Sequence, residues 1–359
     1  MTGGHVTPAL AIIDELNSHE IVFVGRKYAL EHEQTLSLEY KEILKRNIKF
    51  INLTTGRLNR SVSLHGIMSV FRIPLGFIQG FQIITKERPN ALLSFGGYLA
   101  VPVAFWAWFF QIPVYTHEQT IEPGLANRVL AFFAKKIFSS FEETRAYFPE
   151  RKTILTGNPV RKSVLKVQKK TFDVPENVST IYVTGGSLGS HSINKHIKTI
   201  LHELLKSFVV IHQTGDTKEY KDFEELLAFR KKFSKTLQER YILKKHFFAD
   251  EIGYVYNISD FVIGRSGANT FFELLTLEKP AIFIPLPWSG KKEQQKHAEI
   301  FKTYNVGEIF QQSEPSEKLL QLIKKVSNNL KTYKKNFRQL KYLYKEDATS
   351  IIIKEITQK

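Results

Sequence analysis

Short apolar runs alternate with longer amphipathic stretches along the whole chain, and this alternation limits the possible folds more than any other feature. The runs have the length of buried strands, and most stretches between them are long enough for a helix. This pattern is typical of an α/β fold in which helices cover both faces of parallel sheets. We predict strands at Ile21–Val24, Phe50–Leu53, Ala91–Ser94, Val114–Thr116, Lys136–Ser139, Thr153–Leu155, Ile181–Thr184, Val209–Gln213, Tyr241–Leu243, Phe261–Ile263 and Ala281–Ile284.

The length of 359 residues predicts two domains, because one core rarely organises so long a chain. A seam is expected near Gly157–Lys170, followed by the polar segment Thr171–Ser179. A new strand, glycine-rich loop and helix begin at Ile181. We therefore expect a Rossmann-like domain over residues 1–160 and a second one over residues 161–334.

The amino-acid composition limits the kinds of partner and site that this chain can have. A net charge of +16 predicts an anionic partner, and the dispersed lysines favour a phospholipid surface or a phosphorylated small molecule over specific nucleic-acid recognition. The absence of cysteine excludes disulfides, thiolate zinc sites and cysteine nucleophiles, and fits a reducing compartment.

Nothing in the sequence predicts an integral membrane protein. The first residues lack the basic and then apolar pattern of a signal peptide. The longest apolar stretches, Leu99–Phe110 and Ile73–Ile84, are shorter than the roughly 20 residues that span a bilayer. We expect a soluble or peripheral protein.

Each half of the chain carries a glycine-rich loop before a predicted helix. The first is Thr2–Gly3–Gly4–His5, with a helix from about Thr7, and the second is Gly185–Gly189, with a helix from about Ser190. Glycines let the backbone approach a phosphate, and the helix start supplies N–H donors. A tight turn without a ligand is the alternative. Neither loop has the pattern of a nicotinamide site or of a Walker-type NTPase.

The first loop has no strand before it, although a loop of this kind should follow one. The sequence therefore predicts that the first strand of the N-terminal sheet is missing.

Three further polar segments follow predicted strands. A helix starting near Ala268 would place Asn269 and Glu273 on one face, where the carboxylate could bind a ribose diol. A capped surface helix with an ordinary exposed glutamate is the alternative. The adjacent amides Gln294 and Gln295 could bind sugar hydroxyls, with a solvated loop as the alternative. The pair His117 and Glu118 could act in acid–base chemistry, with a structural histidine as the alternative.

No Asp-x-Asp pair, histidine cluster or HExxH motif is present, so the sequence predicts no metal site and no required cofactor.

Short motifs occur along the chain in a distinctive order. The first half contains TGGHVTPALAI at the start, FGGYLAVP at Phe95–Pro102, HEQ at His117–Gln119, PGLANR at Pro123–Arg128 and GNPVR at Gly157–Arg161. The second half contains GGSLGS at Gly185–Ser190, RSGANTFFE at Arg265–Glu273 and the glutamine pair before His297–Ala298. Together they resemble the MurG family, the UDP-N-acetylglucosamine:undecaprenyl-pyrophosphoryl-MurNAc-pentapeptide transferases of peptidoglycan synthesis.

The resemblance implies the GT-B fold, two Rossmann-like domains facing across a cleft, with a C-terminal helix at about residues 335–359 packing back on the first domain. It implies inverting transfer of N-acetylglucosamine from UDP-GlcNAc to the C4 hydroxyl of lipid-linked MurNAc-pentapeptide. The implied partners are UDP-GlcNAc, the undecaprenyl-pyrophosphoryl acceptor and an anionic phospholipid surface, with no nucleic acid. A peripheral location on the cytoplasmic face of the plasma membrane follows.

The resemblance also implies roles for individual residues. For the donor UDP-GlcNAc these are Thr2, Gly3, Gly4, Thr120, Arg161, Ser187, Ala249, Ala268, Asn269, Thr270, Phe271, Glu273, Gln294 and Gln295. For the acceptor they are Thr2, Gly3, Gly4, His5, Tyr98 and Glu118. We expect His5 to be the general base, with Glu118 as the second candidate and a phosphate contact as the other role for His5.

Departures from the family pattern occur at three places. Thr120 stands where asparagine is usual, Ala249 where a larger aliphatic residue is common, and the loop before Gln294 has no aspartate. These changes leave the contacts at Thr120 and Ala249 open.

An apolar segment at Leu64–Phe81, flanked by Arg57, Arg60 and Arg72, is expected to reach the lipid. A buried amphipathic helix is the alternative. The membrane-contacting residues predicted there are Phe71, Ile73, Leu75, Phe77, Ile78 and Phe81.

Two other classes of function remain open from the sequence. One is a related GT-B enzyme, such as a glycolipid glycosyltransferase or a UDP-GlcNAc 2-epimerase that needs no acceptor. The other is a non-catalytic protein that binds a sugar nucleotide or nucleic acid.

Overall fold

The computed structural model describes residues 5–16, 18–28, 36–56, 71–186, 188–215, 220–343 and 347–358. The chain divides into two compact units, Met1–Val160 with Leu343–Lys359, and Arg161–Tyr342. Both are α/β units in which all the paired strands are parallel, so the predicted fold class is confirmed.

The first unit contains two parallel sheets. Its elements before residue 160 are α1 (Val6–Ile13), β1 (Val22–Gly25), α2 (Leu38–Lys45), β2 (Lys49–Asn52), α3 (Ile73–Glu87), β3 (Leu92–Ser94), α4 (Ala100–Phe109), β4 (Val114–Glu118), α5 (Leu125–Phe133), β5 (Lys136–Ser139) and β6 (Thr153–Leu155), with short 3-10 helices at Glu143–Tyr147 and Glu150–Lys152. One sheet is the pair β1–β2, and the other has the order β3-β4-β5-β6. In the described residues β1 is not paired with β3, and no strand precedes α1.

The second unit is one doubly wound sheet. Its elements are α6 (Lys162–Leu165), β7 (Ser179–Thr184), α7 (His191–Ser207), β8 (Phe208–Gln213), α8 (Asp222–Arg230), α9 (Lys235–Glu239), β9 (Tyr241–Lys244), α10 (Ala249–Ile258), β10 (Phe261–Gly264), α11 (Ala268–Thr276), β11 (Ala281–Phe283), α12 (Glu293–Thr303), β12 (Gly307–Ile309), α13 (Ser316–Asn328) and α14 (Leu330–Asn336), with 3-10 helices at Gly290–Lys292 and Phe337–Leu340. The strand order is β12-β11-β10-β7-β8-β9. The winding direction reverses between β7 and β10, where ligands bind in sheets of this type.

The chain returns to the first unit in its last described helix, α15 (Ala348–Thr357). Ile352 of α15 lies in the same hydrophobic core as Leu10 of α1, Phe23 of β1 and Tyr115 of β4. This return begins at Leu343 rather than near residue 335.

The residues just before Leu343 belong to the second unit because their aromatic side chains pack there. The Tyr333 hydroxyl donates to Glu308 Oε1 at 2.8 Å, and the ring of Phe337 packs on Phe301 with centroids 5.7 Å apart.

Candidate functional site

The edge of the second sheet where its winding reverses presents two helix starts. β7 ends at Thr184 and leads through the glycine loop to α7, and the neighbouring strand β10 ends at Gly264 and leads to α11. Gly189 of the loop has φ +80°, and a Cβ atom there would lie 1.9 Å from the Thr214 carbonyl oxygen. Only glycine therefore fits this close approach between the loop and the end of β8.

Glu273 is a buried carboxylate in the second turn of α11. Its Oε1 accepts a hydrogen bond from Arg161 at 2.7 Å, and its Oε2 accepts one from the Tyr256 hydroxyl at 3.0 Å. A carboxylate offers about four lone-pair positions, so two remain for a ligand diol. The predicted donor-site residues Arg161 and Glu273, far apart in the sequence, are thus in direct contact.

Both hydrogen-bond partners of Glu273 keep their protons at neutral pH. Burial lowers the pKa of Arg161, but the Glu273 carboxylate together with Tyr256 and Tyr182 raises it overall, so the guanidinium stays charged. Burial and the same carboxylate raise the pKa of Tyr256 well above its usual value, so its hydroxyl stays a donor. Sequence reasoning missed Tyr256, which lies on α10, 17 residues before Glu273, with no motif around it.

The other predicted donor-site residues of this unit fall into two groups. Ala268, Asn269 and Thr270 form the first turn of α11. Phe271 follows them, but its buried ring stacks on His297 with centroids 4.7 Å apart, which leaves only its backbone for a ligand. Ala249 is exposed at the start of α10. Ser187 lies outside the described residues.

The predicted glutamine pair follows β11. Gln294 Oε1 accepts the Leu286 backbone N–H at 3.0 Å, and the Ser266 hydroxyl donates to the Gln294 carbonyl at 2.7 Å. Gln295 donates to Glu299 at 3.0 Å. The side chain of Gln294 therefore ties its own loop together. Among the described residues no acceptor is bonded to its amide N–H groups, which could bind a ligand.

A second unpredicted residue, Arg265, joins three loops at this edge. Its guanidinium donates to the Ile284 carbonyl at 2.8 Å, to Gln312 Oε1 at 3.0 Å, and to the hydroxyls of Ser190 and Ser192 at 2.8 and 2.9 Å. Burial lowers its pKa to about 10. No carboxylate of the described residues is paired with it, so it adds positive charge beside the glycine loop.

In the first unit, Glu118 is the last residue of β4 and is buried. Its Oε1 accepts from the backbone N–H and the hydroxyl of Thr120, at 3.0 and 2.7 Å. Its Oε2 accepts from the Gly124 N–H at 3.1 Å and from Asn127 Nδ2 at 2.9 Å. The carboxylate thus holds the loop between β4 and α5, and the Thr120 hydroxyl also lies 2.9 Å from the Glu122 carbonyl oxygen. Both side chains are already engaged inside the protein.

His5, the other candidate base, is less buried than Glu118. It is half-buried and directly precedes α1. Burial lowers its pKa, and Glu118 and a hydrogen bond with the Phe95 backbone only partly oppose this. At neutral pH the imidazole is therefore largely uncharged and able to take up a proton. The neighbouring predicted residues Thr2, Gly3 and Gly4 lie outside the described residues.

His117 fits the structural alternative considered for it. It lies within β4, its Nε2 is 3.3 Å from both the Gly157 carbonyl oxygen and Ser140 Oγ, and burial lowers its pKa to about 4. The predicted acceptor residue Tyr98 is half-buried against the core formed by α3, α4 and β4.

The segment predicted to contact lipid is described from Phe71 onwards, and Arg57, Arg60 and residues 64–70 lie outside the described residues. Four of the six predicted side chains are exposed, and we call them the α3 surface: Phe71, Leu75, Ile78 and Phe81. Ile73 and Phe77 are half-buried. α4 packs against α3, where Trp106 Nε1 donates to the Phe77 carbonyl at 2.7 Å, and it adds the exposed Trp108 and Phe109. None of the described helices combines the length and the apolar character needed to cross a bilayer.

Comparison with known proteins gives consistent matches over both units. The glycosyltransferase family 28 N-terminal domain matches residues 2–139, and the C-terminal domain of that family matches residues 180–352. The UDP-N-acetylglucosamine--N-acetylmuramyl-(pentapeptide) pyrophosphoryl-undecaprenol N-acetylglucosamine transferase 2 of Bacillus cereus is 32% identical over 98% of this chain and 96% of its own.

Solved structures share the fold at lower identity. MurG of Acinetobacter baumannii superposes with a TM-score of 0.70 at 22% identity, covering 99% of this chain and 96% of its own. The UDP-GlcNAc 2-epimerase of Neisseria meningitidis superposes with a TM-score of 0.66 at 14% identity, covering 98% and 96%. The fold is thus common to transferases and epimerases, and the sequence identity lies with the transferases.

Proposed function

Because this chain belongs to the MurG family of glycosyltransferase family 28, we propose that it transfers N-acetylglucosamine from UDP-GlcNAc to N-acetylmuramyl-(pentapeptide) pyrophosphoryl-undecaprenol. The observation that carries this proposal is the 32% identity to the Bacillus cereus transferase over 98% of the chain, which spans both units. The contact between Arg161 and Glu273 supports it, since it prepares a carboxylate for a ribose beside two helix starts.

The proposed reaction is a single displacement with inversion. The C4 hydroxyl oxygen of the muramyl sugar forms a bond to the anomeric carbon of the donor, and the bond from that carbon to the diphosphate oxygen breaks. UDP leaves with the electron pair, and the hydroxyl proton passes to His5. The starts of α7 and α11 and the charge of Arg265 would stabilise the diphosphate as it develops charge. We therefore also propose that the reaction needs no metal.

The test is UDP release from UDP-GlcNAc, measured in chelator with and without a pyrophosphoryl-MurNAc-pentapeptide acceptor. We expect release only with acceptor, and a loss of at least 100-fold in kcat/KM for Glu273→Ala, since it removes an interaction with the bound donor and leaves Arg161 unpaired. Glu317→Ala, at an exposed carboxylate on α13, is the matched control and should leave the rate unchanged.

The other outcomes separate the alternatives. UDP release or an epimerised sugar without acceptor would indicate the epimerase. Binding of UDP-GlcNAc without turnover would indicate a non-catalytic protein. Loss of all activity in chelator, restored by a divalent cation, would contradict metal-independent transfer.

We further propose that the α3 surface binds the membrane that holds the acceptor. Exposed aromatic and aliphatic side chains on one helix face suit shallow insertion, and the net charge of +16 favours an anionic leaflet.

The membrane proposal is tested by sedimentation with vesicles of phosphatidylglycerol or of phosphatidylcholine. The double variant Phe71→Ser/Ile78→Ser should lose most binding to the anionic vesicles. Val167→Ser, at a residue 51% exposed in the second unit, should not. Equal binding by all three proteins would rule out the α3 surface as the contact.

A further inference from the structure

Two buried amides at the edge of the first unit's sheet have side-chain oxygens without a partner. Gln119 and Asn158 are 6% and 5% exposed, and no donor of the described residues lies within hydrogen-bonding distance of Gln119 Oε1 or Asn158 Oδ1. The orientation of Asn158 is set by its Nδ2, which donates to the Pro159 carbonyl at 3.3 Å. Folded proteins seldom bury such an oxygen unpaired, because its lost hydration destabilises the fold.

The two amides lie at the same edge of the sheet. Glu118, Ser139 and Leu155 are aligned on β4, β5 and β6, so Gln119 follows the end of β4 while Asn158 follows the end of β6. The carboxyl ends of parallel strands form the ligand-binding edge in sheets of this kind. His117, which contacts both Gly157 and Ser140, lies between these strand ends.

Other groups hold the loops on which the two amides sit. The Thr144 hydroxyl donates to the Thr120 carbonyl at 2.9 Å, and the Thr156 hydroxyl donates to the Gly157 carbonyl at 2.9 Å. The Ser139 carbonyl oxygen accepts hydrogen bonds from the backbone N–H groups of Thr156 and Gly157 at 3.0 and 3.2 Å. The local backbone is therefore fixed without the oxygens of Gln119 and Asn158, and a structural role does not explain why they are buried.

The chemistry of these oxygens restricts the ligand. An amide carbonyl oxygen only accepts hydrogen bonds, so its partner must bring an O–H or N–H group. A diphosphate has no such group when ionised, and its oxygens would be repelled. A sugar hydroxyl or an amide N–H fits.

We propose that Gln119 and Asn158 bind uncharged O–H or N–H groups of the sugar–peptide part of the acceptor, and not its diphosphate. This inference rests on the proposed function, in which the first unit holds the acceptor. It separates the recognition of the neutral part of the acceptor from the recognition of its phosphates, which the loop before α1 is expected to bind.

The test combines kinetics with stability. Gln119→Met keeps the length of the side chain and removes the acceptor oxygen. We expect its KM for the acceptor to rise about fivefold to tenfold, the effect of one hydrogen bond, while its KM for UDP-GlcNAc stays within about twofold. Asn158→Leu should change the acceptor KM in the same direction.

In the absence of substrate, the thermal unfolding midpoint of Gln119→Met should stay the same or rise, since no internal hydrogen bond is lost. Gln213→Met is the matched control, because Gln213 is also buried but its Oε1 accepts the Phe247 N–H at 2.9 Å and its Nε2 donates to the Gly186 carbonyl at 3.0 Å. This control should unfold at a lower temperature.

Two results would overturn the inference alone. One is a fall of the midpoint in Gln119→Met as large as in Gln213→Met, which would show a structural role. The other is an unchanged acceptor KM in both Gln119→Met and Asn158→Leu while the wild type releases UDP in response to acceptor. Absence of acceptor-dependent release from the folded wild type would instead refute the proposed function, and this inference with it.

Discussion

The two candidate bases differ in the hydrogen bonds that already surround them. The Glu118 carboxylate accepts from four donors, and taking up a proton would disturb the loop that these donors belong to. His5 is half-buried with a lowered pKa and is the better base on structural grounds. That His5 rather than Glu118 is the general base, as expected from the sequence, stays a prediction that kinetics can test.

We expect His5→Gln to lower kcat about 100-fold or more, the usual range for a general base, with the affinity for UDP unchanged. The acid limb of the wild-type kcat/KM profile should lie below pH 6.5, because burial lowers the pKa of His5 and leaves it uncharged above that limb. The limb should be absent from His5→Gln. An unaltered limb in that variant would assign the proton transfer elsewhere.

Glu118→Gln makes a separate prediction of stability. In this variant an NH₂ group replaces the oxygen that accepts hydrogen bonds from the Gly124 N–H and from Asn127 Nδ2. Donors would then face donors, so the free energy of unfolding should fall by about 2–3 kcal/mol. Urea unfolding measures this. A fully stable variant with no activity would instead restore Glu118 as a catalytic residue.

Tyr256→Phe tests whether the orientation of Glu273 matters for the donor. The variant loses the 3.0 Å hydrogen bond to Glu273, and we expect the KM for UDP-GlcNAc to rise about threefold to tenfold. Tyr254→Phe is the control, since Tyr254 lies on the same helix but donates to the Phe172 carbonyl at 2.7 Å. Equal effects of both variants would show that only packing of α10 is involved.

Arg265 connects the ends of β10 and β11 to the start of α7. Arg265→Lys keeps the charge but cannot reproduce the branched contacts. We expect a loss of about 2 kcal/mol in the free energy of unfolding and a raised KM for UDP-GlcNAc. Arg240→Lys is the control, since Arg240 also bonds two carbonyls, those of Leu205 and Lys206, and its KM should be unchanged. An unchanged KM in both variants would contradict the proposed role of Arg265 at the glycine loop.

All eleven strands predicted from the apolar runs are present in the structure. Strands buried on both faces, such as β8 and β10, are apolar almost throughout and therefore stand out in a sequence. The prediction missed β12, whose three residues include Gly307 and the buried Glu308. It also ended β4 two residues early, because His117 and Glu118 are polar, yet both are buried in the strand. Their burial depends on partners such as Asn127 that come from another element.

The same limit applies to the candidate site. The start of α11 at Ala268 and the position of Glu273 on it followed from the local sequence. The contacts of Glu273 with Arg161 and Tyr256 join residues 112 and 17 positions away, and periodicity within a helix contains no information on them. Arg265 was part of a recognised motif, but its bonds to Ser190 and Gln312 appear only once the sheet brings three loops together.

Three buried histidines, one in the first unit and two in the second, are uncharged at neutral pH. Burial lowers the pKa of His117 and His297 to about 4 and that of His212 to about 3. Between pH 6.5 and 4 the unfolded chain binds protons at these positions that the folded chain excludes, so stability falls as the pH decreases through this window.

From pH 7 to pH 5 each of these histidines should destabilise the fold by about 2 kcal/mol, the free energy of 1.5 pKa units. His212→Gln should reduce this pH dependence by about that amount, although it weakens the hydrogen bonds to Tyr241 and Asn194 at every pH. Urea midpoints at both pH values measure the difference. A pH dependence of stability in His212→Gln equal to that of the wild type would contradict the assignment.

Because α15 belongs to the first unit, the two units can complete their cores only in a certain order during translation. The second unit is one continuous segment, Arg161–Tyr342, and can close its core as soon as that segment has left the ribosome. The core around Leu10 and Phe23 still lacks Ile352 at that moment, although its own residues were made first. Domains usually finish folding from the N-terminus onward during translation. Here we expect the unit made first to complete its core only after the inserted unit has been made, because Ile352 is supplied last.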